Sequence, residues 1–237
     1  MNCSDASMPL EKFFPEPHSS LFPLSKRVNR MVIFDFDGTI ADSFSIGVKI
    51  GNQLAREFGF PTITMATIDR WQHLSSKEII HEIGVPFYRL PKIIRRFKSD
   101  MNREIPNLQP FDGMKEALRT LRSQGCRLGI VSSNSEDNVR SFLAVQGISH
   151  LFEFVISCPR LMGKDKALKR ILKKQNIQPE TVLYVGDETR DIDAAKRSNI
   201  RSAAVSWGFN SLQVLAQHYP DFILTEPADL NKIVLRF

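Results

Sequence analysis

Asp35 and Asp37 stand two residues apart in the string Asp35-Phe36-Asp37-Gly38-Thr39, directly after the apolar run Met31-Val32-Ile33-Phe34. Alternate side chains of a strand share a face, so the two carboxyls can project together. Gly38 lets the chain turn sharply with backbone N–H groups exposed. A second acidic string, Val185-Gly186-Asp187-Glu188-Thr189-Arg190-Asp191, also follows an apolar run. If both strings end strands of one sheet, four carboxylates converge. Two unit charges about 4 Å apart at an effective dielectric of about 20 repel by about 4 kcal/mol. Such a cluster requires a cation or altered protonation. Oxygen ligands with no His or Cys nearby select magnesium over zinc.

Two further features suit an anionic substrate. The run Gly129-Ile130-Val131-Ser132-Ser133-Asn134 ends in a hydroxyl and backbone N–H groups at a helix start, which can cradle a phosphate. Gly163-Lys164-Asp165-Lys166 offers a lysine to neutralise negative charge. Taken singly, each has a plainer reading: Ser and Asn are ordinary helix caps, and a lysine on a basic helix is a solvated charge.

The elements that must position these residues alternate along the chain. Short apolar runs predict parallel strands at Met31–Phe34, Arg127–Val131, Phe152–Ile156, Val182–Val185 and Ser202–Val205, with Phe222–Leu224 a late sixth. Helical spacing between them predicts Gly113–Ser123, Glu136–Gln146, Asp165–Gln175 and Asp191–Ser198. The fold expected is α/β: a Rossmann-like, mainly parallel sheet flanked by helices. Between the first and second strands the alternation stops. Residues 43–107 read as helical, at Phe44–Phe58, Ser76–Ile83 and Pro91–Glu104, and are too long for a simple crossover. Leu90, Ile93, Ile94, Phe97 and Met101 recur at helical spacing and predict one buried face. This gives a body of residues 31–42 and 108–237, a helical cap domain of 43–107, and a Pro- and Ser-punctuated leader of 1–30.

DFDGT after an apolar strand, then a serine at a strand end, a lysine, and GDxxxD, in that order, resemble the haloacid dehalogenase-like hydrolases over residues 31–237. The cap position, the run Val205-Ser206-Trp207-Gly208-Phe209-Asn210 and Pro220-Asp221-Phe222 are similar to the phosphoglycolate phosphatase-like branch. Ser132-Ser133 replaces the Thr-Asn frequent in that branch, and no Lys-Pro pair marks the lysine. The resemblance implies a magnesium-dependent phosphatase acting on a small phosphorylated metabolite through an aspartyl-phosphate. Asp35 would be the nucleophile and Asp37 the acid and base. The metal would be held by Asp35, the backbone carbonyl of Asp37, Asp187 and, through water, Asp191. Gly38, Thr39, Ser132, Ser133 and Lys164 would bind the phosphoryl group, with Lys166 the alternative lysine. Dehalogenase members lack the second acid, whereas a sugar-phosphate mutase keeps it and stays open. Cap residues Arg70, His73, Ser75, Ser76 and Lys77 are candidates to select substrate, with lid hinges near Ala41–Ser43 and Leu108–Asp112.

Composition bounds the rest. The chain has 237 residues, 42% of them hydrophobic and 24% charged, enough to bury a core. Cys3, Cys126 and Cys158 are odd in number and form no CxxC pair, which points to a reducing cytoplasm rather than a disulfide framework. No apolar run reaches the roughly 20 residues of a membrane span. The net charge of +6 raises a nucleic-acid or regulatory binding protein, with Arg89, Lys92, Arg95, Arg96 and Lys98 as its basic face. No aromatic residues interleave these charges in a stacking pattern, so nucleic acid is not expected. Residues 43–107 carry +4 of the total, which suits the steering of small anions or a solvated helix face.

Overall fold

The computed structural model describes residues 30–74, 76–158 and 163–236, so the leader lies outside the described residues apart from Arg30. Six strands form one parallel sheet: β1 (Met31–Phe34), β2 (Arg127–Ser132), β3 (Phe154–Ser157), β4 (Val182–Gly186), β5 (Arg201–Val205) and β6 (Phe222–Leu224). Their order is β3-β2-β1-β4-β5-β6. The chain builds outward from β1 on one side, then returns to lay β4 against its other edge. The order therefore reverses between β1 and β4, where open α/β sheets bind their ligands, beyond the carboxyl ends of the strands.

β1 is buried on both faces, which is why it reads as an unbroken apolar run. Its period of two is still visible in the packing. Val32 and Phe34 join a cluster with α5 (Met114–Ser123), α6 (Glu136–Val145) and α10 (Asp229–Ile233). Met31 and Ile33 join one with α7 (Lys164–Gln175) and α8 (Thr189–Arg197). α9 (Leu212–Gln217) packs Leu215 on Ile192 and Ala204.

Between β1 and β2 the chain is helical: α1 (Phe44–Phe58), α2 (Met65–Trp71), α3 (Ser76–Glu82) and α4 (Leu90–Glu104). α1 buries Ile50, Gly51, Leu54 and Ala55. α4 departs from expectation, because none of its residues is fully buried and Ile94 is 43% exposed. Leu90, Ile93, Phe97 and Met101 are half-buried, because α1 covers the stripe only in part. The insertion leaves and rejoins the body across one short antiparallel pairing of Ala41 with Pro110. Asp42 N–H donates to the Gln109 carbonyl (2.9 Å) and Phe111 N–H to the Ile40 carbonyl (3.1 Å).

Three short helices have no counterpart in the sequence expectation: α2, α9 and α10. Five to seven residues are too few for a periodic stripe. Side-chain caps start two of them, Thr64 accepting from Thr67 N–H and Ser211 from Val214 N–H. β3 begins two residues late, after a 3₁₀ turn at Ser149–Leu151. α8 begins two residues early, at the capping box of Glu188 and Asp191.

Candidate active site

Asp35 is the first residue past β1, and its N–H still donates to Val185 O (2.8 Å), which fixes it beside β4. It is buried. Its Oδ1 accepts from Phe36 N–H (2.7 Å) and its Oδ2 from Lys164 Nζ (2.5 Å). Lys164 donates equally closely to Asp191 Oδ1 (2.6 Å) and lies over the Tyr184 ring. Asp191 Oδ2 accepts from Glu188 N–H (3.1 Å), so the capping box of α8 also aims this carboxylate. The first turn of α7 thus brings in Lys164, while Lys166 is exposed.

Asp187 is set from both sides. The Thr39 hydroxyl donates to its Oδ1 (2.8 Å) and Phe209 N–H to its Oδ2 (2.9 Å). Asn210 N–H takes its carbonyl (3.2 Å), and Trp207 Nε1–H donates to the Thr39 carbonyl (3.1 Å). Glycine is required at two points of this clamp. A Cβ on Gly38, where φ is +73°, would sit 2.2 Å from Asp187 Oδ2. One on Gly208 would sit 2.1 Å from Asp187 Cβ and 2.5 Å from the Gly38 carbonyl.

Carboxylate oxygens of Asp35, Asp187 and Asp191 lie within 4.8 Å of one another. Asp37 is not part of this triad. Its Oδ2 accepts from Asn134 Nδ2 (3.0 Å), and its Oδ1 is buried with no hydrogen-bond partner among the described residues. Ser132 ends β2, beside the strand that carries the aspartates, and its buried hydroxyl accepts from Asn134 N–H (3.1 Å). Ser133 follows, half-buried.

Burial and like charge dominate the electrostatics. Burial, then Glu188, Asp35 and Asp191, push Asp187 well above the usual carboxylate range. Asp191 is raised to about 6 by burial, against the pull of Lys164. Asp37 is raised to about 6 by burial and by Asp35, against the Asn134 hydrogen bond, the nearby Ser43 hydroxyl and the charge of Lys164. Burial works against the charge of Lys164, but Asp191 and Asp35 outweigh it and hold the ammonium form. One lysine beside three buried carboxylates leaves excess negative charge. Each of the six oxygens takes one of the protein donors named above, and a carboxylate has about four lone-pair sites. The triad therefore fits a hard divalent cation such as magnesium.

The insertion reaches this site through its second helix. The Gln72 carbonyl accepts from Ser211 N–H and Asn210 Nδ2 (both 3.1 Å), and His73 Nδ1 meets Ser211 Oγ at 3.0 Å. Arg70 instead pairs with Glu82, which also accepts from Trp71 Nε1–H (2.9 Å). Ser75 and the side chains of Ser76 and Lys77 lie outside the described residues. The residues that sequence reasoning did not single out are Asn134, Gly208 and Phe209. The latter two act through a backbone N–H and a missing Cβ, which leave no pattern of side-chain chemistry. Asn134 looks like a helix cap until Asp37, 97 residues away, is found against it.

Comparison with known proteins agrees with this arrangement. The family profile described as "Haloacid dehalogenase-like hydrolase" matches residues 32–205. A phosphoglycolate phosphatase of Synechococcus elongatus is 37% identical over 203 residues, 86% of this chain and 96% of that protein. A pyrophosphatase of Listeria innocua is 27% identical over 208 residues, 86% of this chain and 95% of its own. Among solved structures, a haloacid dehalogenase-like family protein of Streptococcus pneumoniae superposes with a TM-score of 0.76 at 22% identity, covering 86% of this chain and 98% of that one. With the ordered motifs, the sheet order and a profile spanning most of its length, the chain belongs to the haloacid dehalogenase-like hydrolase family.

Proposed function

We propose that this protein is a magnesium-dependent phosphatase that hydrolyses a small phosphate monoester through an aspartyl-phosphate on Asp35. The observation that carries the reading is the joint placement of Asp35, Lys164, Asp187 and Asp191 in one buried cluster, beside an Asp37 whose Oδ1 is unpartnered.

Asp35 attacks phosphorus, and the bond from phosphorus to the ester oxygen breaks. Asp37 delivers its proton to that departing oxygen. Asp37, now a carboxylate, takes a proton from water as the water attacks phosphorus. The bond to Asp35 then breaks, which releases phosphate and restores both side chains. A pKa of about 6 lets Asp37 serve in both roles near neutral pH. Lys164 holds Asp35 in place and neutralises charge that builds on the phosphoryl group. Ser132, with the backbone N–H of Ser133, would grip the phosphoryl oxygens. The turn at Gly38 does not leave its N–H exposed, because that group donates to the Ala41 carbonyl (3.0 Å), and the Thr39 hydroxyl orients Asp187. Asp35, the Asp37 carbonyl, Asp187 and Asp191 would hold magnesium, which would supply the charge neutralisation that a carboxylate needs to approach a phosphate dianion.

Residues 43–107 would act as a cap that excludes water and selects substrate through the segment around Gln72 and His73. Phosphoglycolate is the first substrate to test, because the relative at 37% identity bears that name, and pyrophosphate the second. A cytoplasmic setting suits the buried, unpaired Cys126 and Cys158. Among the described residues no helix is long and apolar enough to cross a membrane.

Purified protein with magnesium should release phosphate from a chromogenic aryl phosphate and from members of a phosphometabolite panel. Asp35→Asn should lower kcat/KM by about a thousandfold or more, roughly 4 kcal/mol of barrier. Undiminished release by that variant refutes the reading. Isomerised phosphosugar without net phosphate release points instead to a mutase.

A further inference from the structure

We propose that Asn134 is the positioning residue of Asp37, and that Asn138 and Asn102 couple the placement of the helical insertion to it. The inference deepens the phosphatase reading and rests on it.

Four side chains form one continuous hydrogen-bonded line. Asn102 lies on α4, the last α-helix of the insertion, and its Oδ1 accepts from Asn138 Nδ2 (2.5 Å). Asn138 lies in the first turn of α6, in the body, and the same Nδ2 donates to Asn134 Oδ1 (2.8 Å). Asn134 Nδ2 then donates to Asp37 Oδ2 (3.0 Å). The orientation of each amide follows from an anchor of fixed sense. Ser135 N–H, which can only donate, also takes Asn134 Oδ1 (2.8 Å), so the NH₂ of Asn134 must face Asp37. Asn134 Oδ1 must then receive the NH₂ of Asn138, which leaves Asn102 to accept with its oxygen. The Asn134 backbone is tied at both ends, its N–H to Ser132 Oγ (3.1 Å) and its carbonyl to Ser157 Oγ (2.8 Å).

This line selects which oxygen of Asp37 does chemistry. Oδ2 is fixed by the Asn134 amide, and Oδ1 is the buried atom without a partner. Oδ1 is therefore the oxygen that carries the proton to the leaving group, and Asn134 sets the plane in which it does so. Because the line begins on α4, a shift of the insertion relative to α6 loosens the Asn138 amide first, then Asn134. The acid is then well aimed only when the insertion is seated, which couples closure to proton transfer.

The distinguishing readout is the dependence on leaving group. An alkyl phosphate needs a proton on its departing oxygen, whereas p-nitrophenolate departs with little help. kcat/KM would be measured with magnesium for both, using phosphoglycolate or the alkyl ester that the wild type cleaves fastest. Asn134→Ala should lose about tenfold to a hundredfold on the alkyl ester, part of the 10²–10⁴ that a placed acid supplies, and under about threefold on p-nitrophenyl phosphate. Asn138→Ala and Asn102→Ala keep Asn134 and Asp37. Each should lose about threefold, on the alkyl ester alone. Should Asn134→Ala melt early, these two variants carry the test. Equal losses on both esters, or none, overturn the positioning role. A wild-type ratio of the two esters in Asn102→Ala overturns the coupling to the insertion. A wild type that releases no phosphate from either ester overturns the phosphatase reading itself, which separates that failure from the other two.

Discussion

The body and its helical insertion are built to different standards of packing. In β1 every side chain is sealed on both faces, and Phe34, Phe36 and Phe142 are fully buried. α2 and α4 have no fully buried residue, and Met65, Phe87 and Tyr88 are largely exposed. The acidic triad and its lysine stand on the sealed part, where the placement of like charges must be held against repulsion. Near the site the insertion meets the body through polar contacts at Gln72, His73 and Asn102 and through the Phe44 ring, which meets that of Phe209 with centroids 5.9 Å apart. The contrast gives the tighter packing to the proposed chemistry and the looser packing to the segment proposed to select and enclose the substrate.

Truncation of the body should give the largest effect. Phe142→Ala removes a ring that meets Phe36 edge-on, with centroids 5.0 Å apart, and should cost about 3–5 kcal/mol in chemical denaturation. Ile94→Ala, at the exposed residue of the α4 stripe, should cost under about 1 kcal/mol. Comparable losses at the two sites would erase the contrast.

Magnesium comes next. At a hundredfold excess over its Kd it should stabilise the protein by about 2.7 kcal/mol. Hydrogen exchange should slow around β1, β4 and α8, with little change in α2 to α4. Gly208→Ala should remove the gain, because its Cβ would displace Asp187. Magnesium protection spread equally over the insertion would show that the two parts behave as one.

Surface ion pairs give the smallest effects. In the body, the Asp229 carboxylate accepts from Thr225 N–H (3.0 Å), Glu226 N–H (3.2 Å) and Lys232 Nζ (2.7 Å). Burial alone would raise its pKa, but these donors outweigh it and hold the carboxyl below its ordinary value. A depressed folded-state pKa stabilises above the unfolded value, and the gain is lost as pH falls through the folded one. Asp229→Asn should therefore cost about 1 kcal/mol at pH 7, and the cost should fade below about pH 4. In the insertion, Arg96→Ala, which cuts half-exposed pairs to Asp100 and Glu57, should cost about 0.5 kcal/mol or less.

The same contrast governs how much could be read in advance. β1 falls on the residues its apolar run marks, because a strand buried on both faces leaves no polar residue to blur its ends; β6 does so too, although as an edge strand it buries only Leu224 fully. Asp35, Asp187 and Lys164 were legible because strand and helix ends put them in reach of one another. In the insertion, apolar spacing overstated the burial of α4: a stripe shows what a helix can bury, not whether a second layer exists to cover it. The Asn134 contact with Asp37 and the Phe209 N–H on Asp187 join distant parts of the chain through groups found in any turn. Only the folded geometry shows them.

The pairing of Ile40–Asp42 with Gln109–Phe111 has a topological consequence. The body holds the two ends of the insertion together itself, so the intervening chain contributes almost nothing to closing that loop. Each doubling of loop length adds only about 0.6 kcal/mol of closure entropy. The sheet order is therefore indifferent to what is strung between those ends: a two-residue hairpin turn, these four helices, or a foreign domain could be grafted there. The chemistry proposed for the site is thus inherited with the sheet, while the selectivity proposed for the insertion would reside in an exchangeable segment.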